Sequence, residues 1–411
     1  MKRDSTKLLM LLAILFAAAG LVFAGGQQEA DDADTGMQAD MGTGEYNEAP
    51  ELAEMVAAGD LPPVDERLPS DPMVFPVVDQ VGTYGGVLRR AWKGPSDIWG
   101  LRKLMYDSYG YWAADGTVKP NLAKRFELNE EGTAITVFLR EGAKWSDGTP
   151  FTSEEARFFY EDVLGNDELT PRKPNYYNNI SNLTVIDDYT FRIDFSAPAA
   201  YGLLHSRLTT PGSDFMHPSH YMKQFHIGYA DEDELQELID DGDFNSWVDL
   251  YEAKENFHRT DPERPVMSAW MPVNEATDPI YEYVRNPYYW KVDSEGNQLP
   301  YIDRVEHQFV ESNEVLVLKA IQGEIDMQFR HFALADFPVL KENENPDEWV
   351  AYRAPRAIGA AAGIGFGLNH VDEVKAEVFQ DARFRRALSL AINRSEINET
   401  NYLGLGETRQ A

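Results

Sequence analysis

The sequence contains no cysteine among its 411 residues. This absence excludes disulfide cross-links, thiol nucleophiles and zinc sites built on cysteine. A lipid anchor carried by a cysteine at a signal-peptide cleavage site is excluded for the same reason.

Basic residues are scarce. The chain has 37 Lys and Arg against 69 Asp and Glu, and its formal net charge is −32. Such a charge disfavours binding to nucleic acid or to anionic membrane surfaces, because phosphate groups are bound by an excess of Lys and Arg. An acidic, solvated surface is sufficient to explain the charge, so the charge does not identify a ligand.

Sequence motifs of nucleotide and metal chemistry are also missing. There is no internal repeat, no G-x-G-x-x-G motif and no Walker A loop, so ATP hydrolysis would belong to a separate subunit. Carboxylates are so numerous that no pair is singled out by spacing as a glycosidase pair. His217, His220 and His226 lie close together, but Pro218 separates the first two, and we predict neither a metal site nor a cofactor.

The N-terminus has the organisation of an export signal. Lys2, Arg3 and Lys7 precede an apolar stretch at residues 8–22, and Val22-Phe23-Ala24 resembles an A-x-A cleavage site. The apolar stretch is shorter than the roughly 20 residues of a membrane-spanning helix. We therefore predict a signal peptide at residues 1–24 and a periplasmic or otherwise extracytoplasmic protein.

The pattern of the remaining chain indicates a mixed α/β fold. Residues 25–80 are acidic, with few aromatics, and are interpreted as a flexible lead-in. Apolar and β-branched runs then predict strands, which alternate with helical patterns. The predicted strands are at residues 133–139, 183–185, 190–195 and 305–310. An acidic helical stretch lies within residues 229–270 and is interpreted as an insertion.

The most informative segment joins a strand to a helix. Asp147-Gly148 is a turn dipeptide, and Pro150 cannot continue a strand ladder. Thr152 followed by Glu155 predicts a capping box, with a helix over residues 153–164. A second well-defined helix is predicted after Asp381, whose carboxylate suits the first turn. Its apolar face, formed by Phe384, Ala387, Leu388, Ala391 and Ile392, is predicted to lie in the core.

These segments resemble the signatures of the family 5 extracellular solute-binding proteins of ABC importers, which bind oligopeptides, dipeptides, nickel or oligosaccharides. The resemblance runs in family order from about residue 82 to residue 403. Asn393 stands where the family usually has Asp. We interpret the matching residues as structural: Lys144, Trp145, Ser146, Asp147, Gly148, Pro150, Thr152, Asn286, Pro287, Trp290, Gly323, Asp326, Asp381, Arg383, Arg385, Ala387 and Leu388.

The resemblance implies a bilobal α/β fold of the periplasmic-binding-protein type, with an extra subdomain in the first lobe. Residues 81–340 would form the first lobe and residues 341–411 the start of the second. Family members are commonly longer, so the second lobe is expected to be incomplete. The implied function is capture of a solute by lobe closure and delivery to membrane permease subunits, with a separate ATPase. The protein would be monomeric and not an enzyme.

The class of solute stays open. An oligopeptide is the default for the family, an oligosaccharide is the alternative, and a secreted carbohydrate-active enzyme is the alternative outside it. The chain is rich in aromatics, with 8 Trp and 20 Tyr, and such side chains stack on sugars or pack around peptide side chains. By analogy with the family fold, the predicted ligand-binding residues are Trp92, Asp97, Trp99, Arg356 and Asn369.

Overall fold

A computed structural model describes residues 46–97, 100, 104, 107–210, 214–255, 261–354 and 363–407. The predicted signal peptide and the first part of the predicted lead-in lie outside these residues. The strands are β1 Met73–Phe75, β2 Val87–Trp92, β3 Gly110–Trp112, β4 Val118–Pro120, β5 Ala123–Leu128, β6 Ala134–Leu139, β7 Ile180–Asp187, β8 Thr190–Phe195, β9 Trp270–Pro272, β10 Ile280–Arg285, β11 Lys291–Asp293 and β12 Arg304–Phe309.

Short and medium-length helices connect and cover these strands. None of those in the described part of the chain is both long and apolar enough to cross a membrane. They are α1 Pro50–Ala58, α2 Val64–Arg67, α3 Glu154–Phe158, α4 Ala200–Leu203, α5 Ser219–Met222, α6 Glu232–Asp241, α7 Trp247–Glu255, α8 Asn313–Ile321, α9 Phe337–Asn343, α10 Glu373–Gln380, α11 Ala382–Ala391 and α12 Arg394–Tyr402.

Two four-stranded sheets organise the described residues. The first has the order β2-β12-β10-β9, in which β2 and β12 are parallel and the other neighbours are antiparallel. The second is antiparallel, with the order β5-β6-β8-β7. Because β2 precedes the second sheet in sequence and its partners follow it, the chain leaves the first sheet, builds the second, and returns.

The second sheet and the acidic segment each have their own core. Ile135 and Val137 of β6 pack with Phe191 and Ile193 of β8, as the apolar runs in both strands predicted. The acidic segment forms two helices, α6 and α7, instead of one. It is anchored by a separate cluster of buried residues: Phe158, Tyr221, Met222, Phe225, Leu235, Trp247, Leu250 and Tyr251.

The segment predicted as a flexible lead-in is ordered from residue 46 onward. It forms α1, α2 and β1, and β1 pairs in parallel with β11. Leu52 and Leu61 are buried, and the side chain of Arg67 is enclosed. Composition alone missed this order, because a few well-placed apolar residues in an acidic segment are enough to dock it on a preformed surface.

The helices predicted to begin near Thr152 and after Asp381 agree with the structure to different degrees. α3 begins one residue later than predicted, and a π-helical turn, Phe159–Val163, continues it. α11 begins where expected, with the Asp381 carboxylate accepting a hydrogen bond from the Arg383 backbone N–H at 2.8 Å. Its predicted core face is not buried, since Ala387, Leu388 and Ala391 are exposed in the structure.

Candidate functional site

The candidate site lies at the edge of the first sheet where the parallel strands β2 and β12 end side by side. Trp92 and Phe309, the last residues of these strands, are register partners. The Val310 N–H donates to the Trp92 carbonyl at 2.9 Å, so the two strand ends are fixed to each other. In open α/β sheets, ligands bind outside the carboxyl ends of parallel strands. This edge is therefore where the topology favours a ligand.

Asp97 organises the loop that follows β2. Its side chain is only 3 % exposed, and its carboxylate accepts hydrogen bonds from the Arg330 Nε at 2.8 Å and from the His331 Nε2 at 2.5 Å. The Lys93 backbone N–H also donates to Asp97, at 3.3 Å. Because Arg330 and His331 are more than 230 positions away in sequence, Asp97 ties a distant segment to this loop.

The segment containing those two residues runs alongside β2. The Asp326 N–H donates to the Arg89 carbonyl at 2.9 Å, and the Gln328 side-chain amide bonds to both the N–H and the carbonyl of Ala91. Residues 326–331 therefore extend the edge of the sheet without being a regular strand. His331 has φ of +66°, a left-handed conformation that is uncommon outside glycine and marks local strain.

Trp92, a predicted ligand-binding residue, lies in the core. Only 1 % of its surface is exposed, and its ring stacks on Tyr281 with 5.4 Å between centroids. Arg90, two residues earlier on β2, is also buried, and its register partner is the buried His307 of β12. Burial lowers the pKa of Arg90, and it lowers the pKa of His307 to about 3, so the imidazole is neutral.

The other predicted ligand-binding residues are distributed differently. Trp99 and Arg356 lie outside the described residues, and Asn369 is exposed in the segment 363–407. Of the predicted ligand-binding residues that the structure describes, only Asp97 lies in the loop at the sheet edge and is bonded by polar side chains, those of Arg330 and His331. Sequence inspection missed Arg330, His331 and Phe309, and no local motif distinguishes them.

The strand-turn-helix segment around Trp145 is a structural joint. The Trp145 indole N–H donates to Glu155 at 3.1 Å, and Glu155 also accepts from the Thr152 backbone N–H at 3.3 Å. Gly148 has φ of +86°, and a Cβ there would lie 2.9 Å from the Tyr288 ring. His220 bonds Asp147 at 2.8 Å, which docks α5 on the turn.

A cavity and a group of histidines lie elsewhere in the described residues. A cavity of ≈ 320 Å³ is lined by aromatic and apolar residues that include Trp270, Tyr289 and Tyr301, and it lies away from Asp97 in the sequence and the sheet. The three clustered histidines are engaged separately, with His226 bonding the Asp162 carbonyl at 3.0 Å. Within the described ranges, no group of three or more His, Cys, Asp or Glu residues is arranged to hold a metal ion.

Comparison with known proteins places the chain in a family. Residues 117–411 match the model of the bacterial extracellular solute-binding proteins, family 5 middle region. The chain is 32 % identical over 388 residues to the periplasmic alpha-galactoside-binding protein of Rhizobium meliloti (strain 1021), a match that covers 86 % of this chain and 53 % of the relative.

Two solved structures share the architecture. A structure of an oligopeptide-binding protein OppA is 45 % identical, with a TM-score of 0.74, and the match covers 90 % of this chain and 58 % of that one. The periplasmic binding protein MelB from Agrobacterium fabrum C58, in complex with stachyose, is 27 % identical with a TM-score of 0.65, and the match covers 87 % and 56 %. The chain thus spans little more than half the length of these relatives, and it has the mixed α/β fold of the periplasmic binding proteins.

The matched range includes the joint around Trp145, the Asn286-Pro287 segment and the helix after Asp381. The chain belongs to family 5 of the bacterial extracellular solute-binding proteins.

Proposed function

We propose that this protein is the extracytoplasmic solute-binding component of an ABC importer. It captures a small solute between two lobes and delivers it to membrane permease subunits that work with a separate ATPase. The single observation that carries the proposal is the family match over residues 117–411. The sheet edge around Asp97 supports it, because the carboxyl ends of parallel strands, here tied to residues 326–331, are a suitable floor for a ligand cleft.

The proposed mechanism is selection of a closed form by the solute, without a chemical step. A ligand that contacts both lobes stabilises the closed arrangement by its differential affinity for that arrangement. Residues 81–340 would supply the first lobe and residues 341–411 part of the second. The relatives named above are binding proteins, and a non-catalytic, monomeric receptor exported to the periplasm is consistent with them.

Two solute classes are each favoured by a specific observation. An oligopeptide is supported by the 45 % identical structure, which is an oligopeptide-binding protein. An oligosaccharide is supported by the alpha-galactoside-binding relative and by the complex of MelB with stachyose. The oligopeptide is supported by the solved structure with the higher sequence identity, and the oligosaccharide is supported by two relatives.

The test is a thermal-melt screen of the purified protein against separate pools of short peptides and of oligosaccharides. A ligand present at about 100 times its dissociation constant stabilises the native state by about 2.7 kcal/mol, which shifts the midpoint measurably. A shift with one pool supports a receptor and identifies its solute class. Turnover of a polysaccharide that is lost on mutation of one carboxylate would contradict the receptor and favour the enzyme.

A further inference from the structure

The side chain of Phe309 is unusually placed for a residue at the end of a core strand. Val305 and His307, which precede it on the same face of β12, are fully buried, whereas Phe309 is 48 % exposed. It ends the strand at the carboxyl edge shared with β2, where the fold favours a ligand. An isolated exposed apolar residue is ordinary on a protein surface. Whether Phe309 marks a binding surface therefore depends on the residues around its ring.

The backbone of Phe309 is anchored, and a glycine turn lies close to its ring. The Phe309 backbone N–H donates to the Pro279 carbonyl at 3.0 Å, and the next residue, Val310, bonds to Trp92. A Cβ at Gly94 would lie 3.3 Å from the Phe309 ring, and Gly94 itself has φ of +86°. Glycine at this position therefore satisfies the turn and allows the loop to approach the ring closely. The result is an exposed aromatic ring on an anchored strand end, with a glycine turn close beside it.

The polar groups beside Phe309 favour a neutral, hydroxylated solute. The Gly94 turn contains Asp97, whose carboxylate is already bonded by Arg330 and His331. This carboxylate is therefore a poor anchor for the α-amino group of a peptide. Two of the five guanidinium N–H donors of Arg330 are directed to Asp97, which leaves donors for hydroxyl groups at a half-buried position.

We infer that Phe309 is the stacking platform for one sugar ring of the solute, and that the solute is an oligosaccharide. The apolar C–H face of a pyranose ring covers the phenyl ring, and its hydroxyl groups accept hydrogen bonds from Arg330 at the rim. This inference rests on the proposed function and narrows its solute class. Phe309 acts here as a specificity-determining residue and performs no chemistry.

The experiment measures affinity by isothermal titration calorimetry for four purified proteins: wild type, Phe309→Ala, Phe309→Tyr and Trp112→Ala. The probes are raffinose, stachyose and cellotriose, with mixed tripeptides and tetrapeptides as the competing class. Trp112 is the matched control, because it is an aromatic residue with 50 % exposure on β3, outside the sheet edge. Thermal melts of all four proteins establish that each one is folded.

We expect wild type to bind at least one oligosaccharide, and Phe309→Ala to bind it about tenfold more weakly, since one lost stacking contact is of that size. Phe309→Tyr and Trp112→Ala should stay within about threefold of wild type. Equal sugar affinity in wild type and Phe309→Ala overturns the stacking role alone. Binding of peptides only overturns the sugar assignment while the receptor function stands. A wild type that binds no probe overturns both.

Discussion

The indole N–H of Trp145 donates a hydrogen bond to the carboxylate of Glu155 at 3.1 Å, and both side chains are buried. This buried contact links the segment that follows β6 to the start of α3. Burial raises the pKa of the Glu155 carboxyl to about 7 from its ordinary value of 4.5, although hydrogen bonds from Trp145 and Thr152 oppose the shift. The pKa of the Glu155 carboxyl, in the predicted capping box, therefore lies near neutral pH.

The raised pKa gives a pH dependence of definite sign. Between about pH 4.5 and pH 7 the folded protein holds a proton on Glu155 that the unfolded chain has released. The contribution of this group to the free energy of unfolding is therefore complete at low pH and is lost as the pH rises through 7. The shift corresponds to a loss on the order of 3 kcal/mol. We expect Glu155→Gln, which cannot ionise, to escape this loss.

Urea unfolding of wild type and Glu155→Gln at about pH 4.5, 6 and 8 measures the effect. The variant should gain stability relative to wild type as the pH rises, and a difference that does not change with pH would contradict the assignment. Glu154→Gln is the control. Hydrogen bonds from Arg157 lower the pKa of Glu154 to about 2, so this variant should be less stable than wild type by a nearly constant amount at these three pH values, and the difference should shrink only below about pH 4.5.

Arg67 should be essential for docking the N-terminal segment. Its enclosed guanidinium donates to the Pro62 carbonyl at 2.9 Å and to Gln298 at 3.0 Å, and it is paired with Glu48. Arg67→Leu leaves Glu48 and these acceptors without a donor, and we expect a loss of about 3 kcal/mol, as for other broken buried pairs. Arg67→Lys should restore little, because an ammonium cannot reproduce the planar fork.

Chemical denaturation gives the free energy of unfolding for both variants. The control is Arg304→Gln, which removes a half-exposed arginine paired with Glu282 at 3.2 Å and should change stability by less than about 1 kcal/mol. If Arg67→Leu were as mild as Arg304→Gln, the segment would not depend on this residue for its docking.

We expect Asp97 to contribute to stability and to hold residues 326–331 in place, without contacting the solute directly. Asp97→Asn removes the charge that holds Arg330 and His331, and we expect a destabilisation of about 2 kcal/mol. Amide hydrogen exchange in residues 326–331 should become faster, because their tether to the loop is weakened. Hydrogen exchange with mass spectrometry measures both the site and the size of the change.

The matched control lies in the same segment. Asp326→Asn breaks the pair with Arg89, which has a distance of 2.6 Å but is substantially exposed, and should cost less than about 1 kcal/mol. Lost solute affinity in Asp97→Asn, together with unchanged stability and exchange, would show that Asp97 contacts the solute directly and would overturn the tethering role.

We expect Trp92 to stabilise the core beneath the candidate site without contacting the solute. Trp92→Ala removes a buried ring that stacks on Tyr281, and we expect a loss of about 3 to 5 kcal/mol. Trp92→Phe keeps an aromatic contact with Tyr281 and should be folded, with solute affinity close to that of wild type. Thermal melts and calorimetric titration of the Trp92→Phe protein test whether Trp92 contacts the solute. A large loss of affinity in a stable Trp92→Phe protein would show that it does.

The sequence alone was sufficient for several local features and for the family. Residues 190–195 are predicted as a strand and form β8, Asp381 caps α11 as expected, and Glu155 accepts the capping-box hydrogen bond from the Thr152 backbone N–H. Each of these features depends on residues within a few positions of one another, so propensity, periodicity and capping determine them.

Tertiary structure decided which residues lie at the sheet edge and which lie beneath it. Trp92 and Phe309 are both aromatic strand ends, yet one is enclosed by Tyr281 and the other faces solvent. Asp97 finds its partners more than 230 residues later. Burial and charge pairing depend on contacts between segments that are distant in sequence, and no local pattern encodes them. The sequence thus determined several of the elements and the family, while the folded chain alone decided the composition of the site.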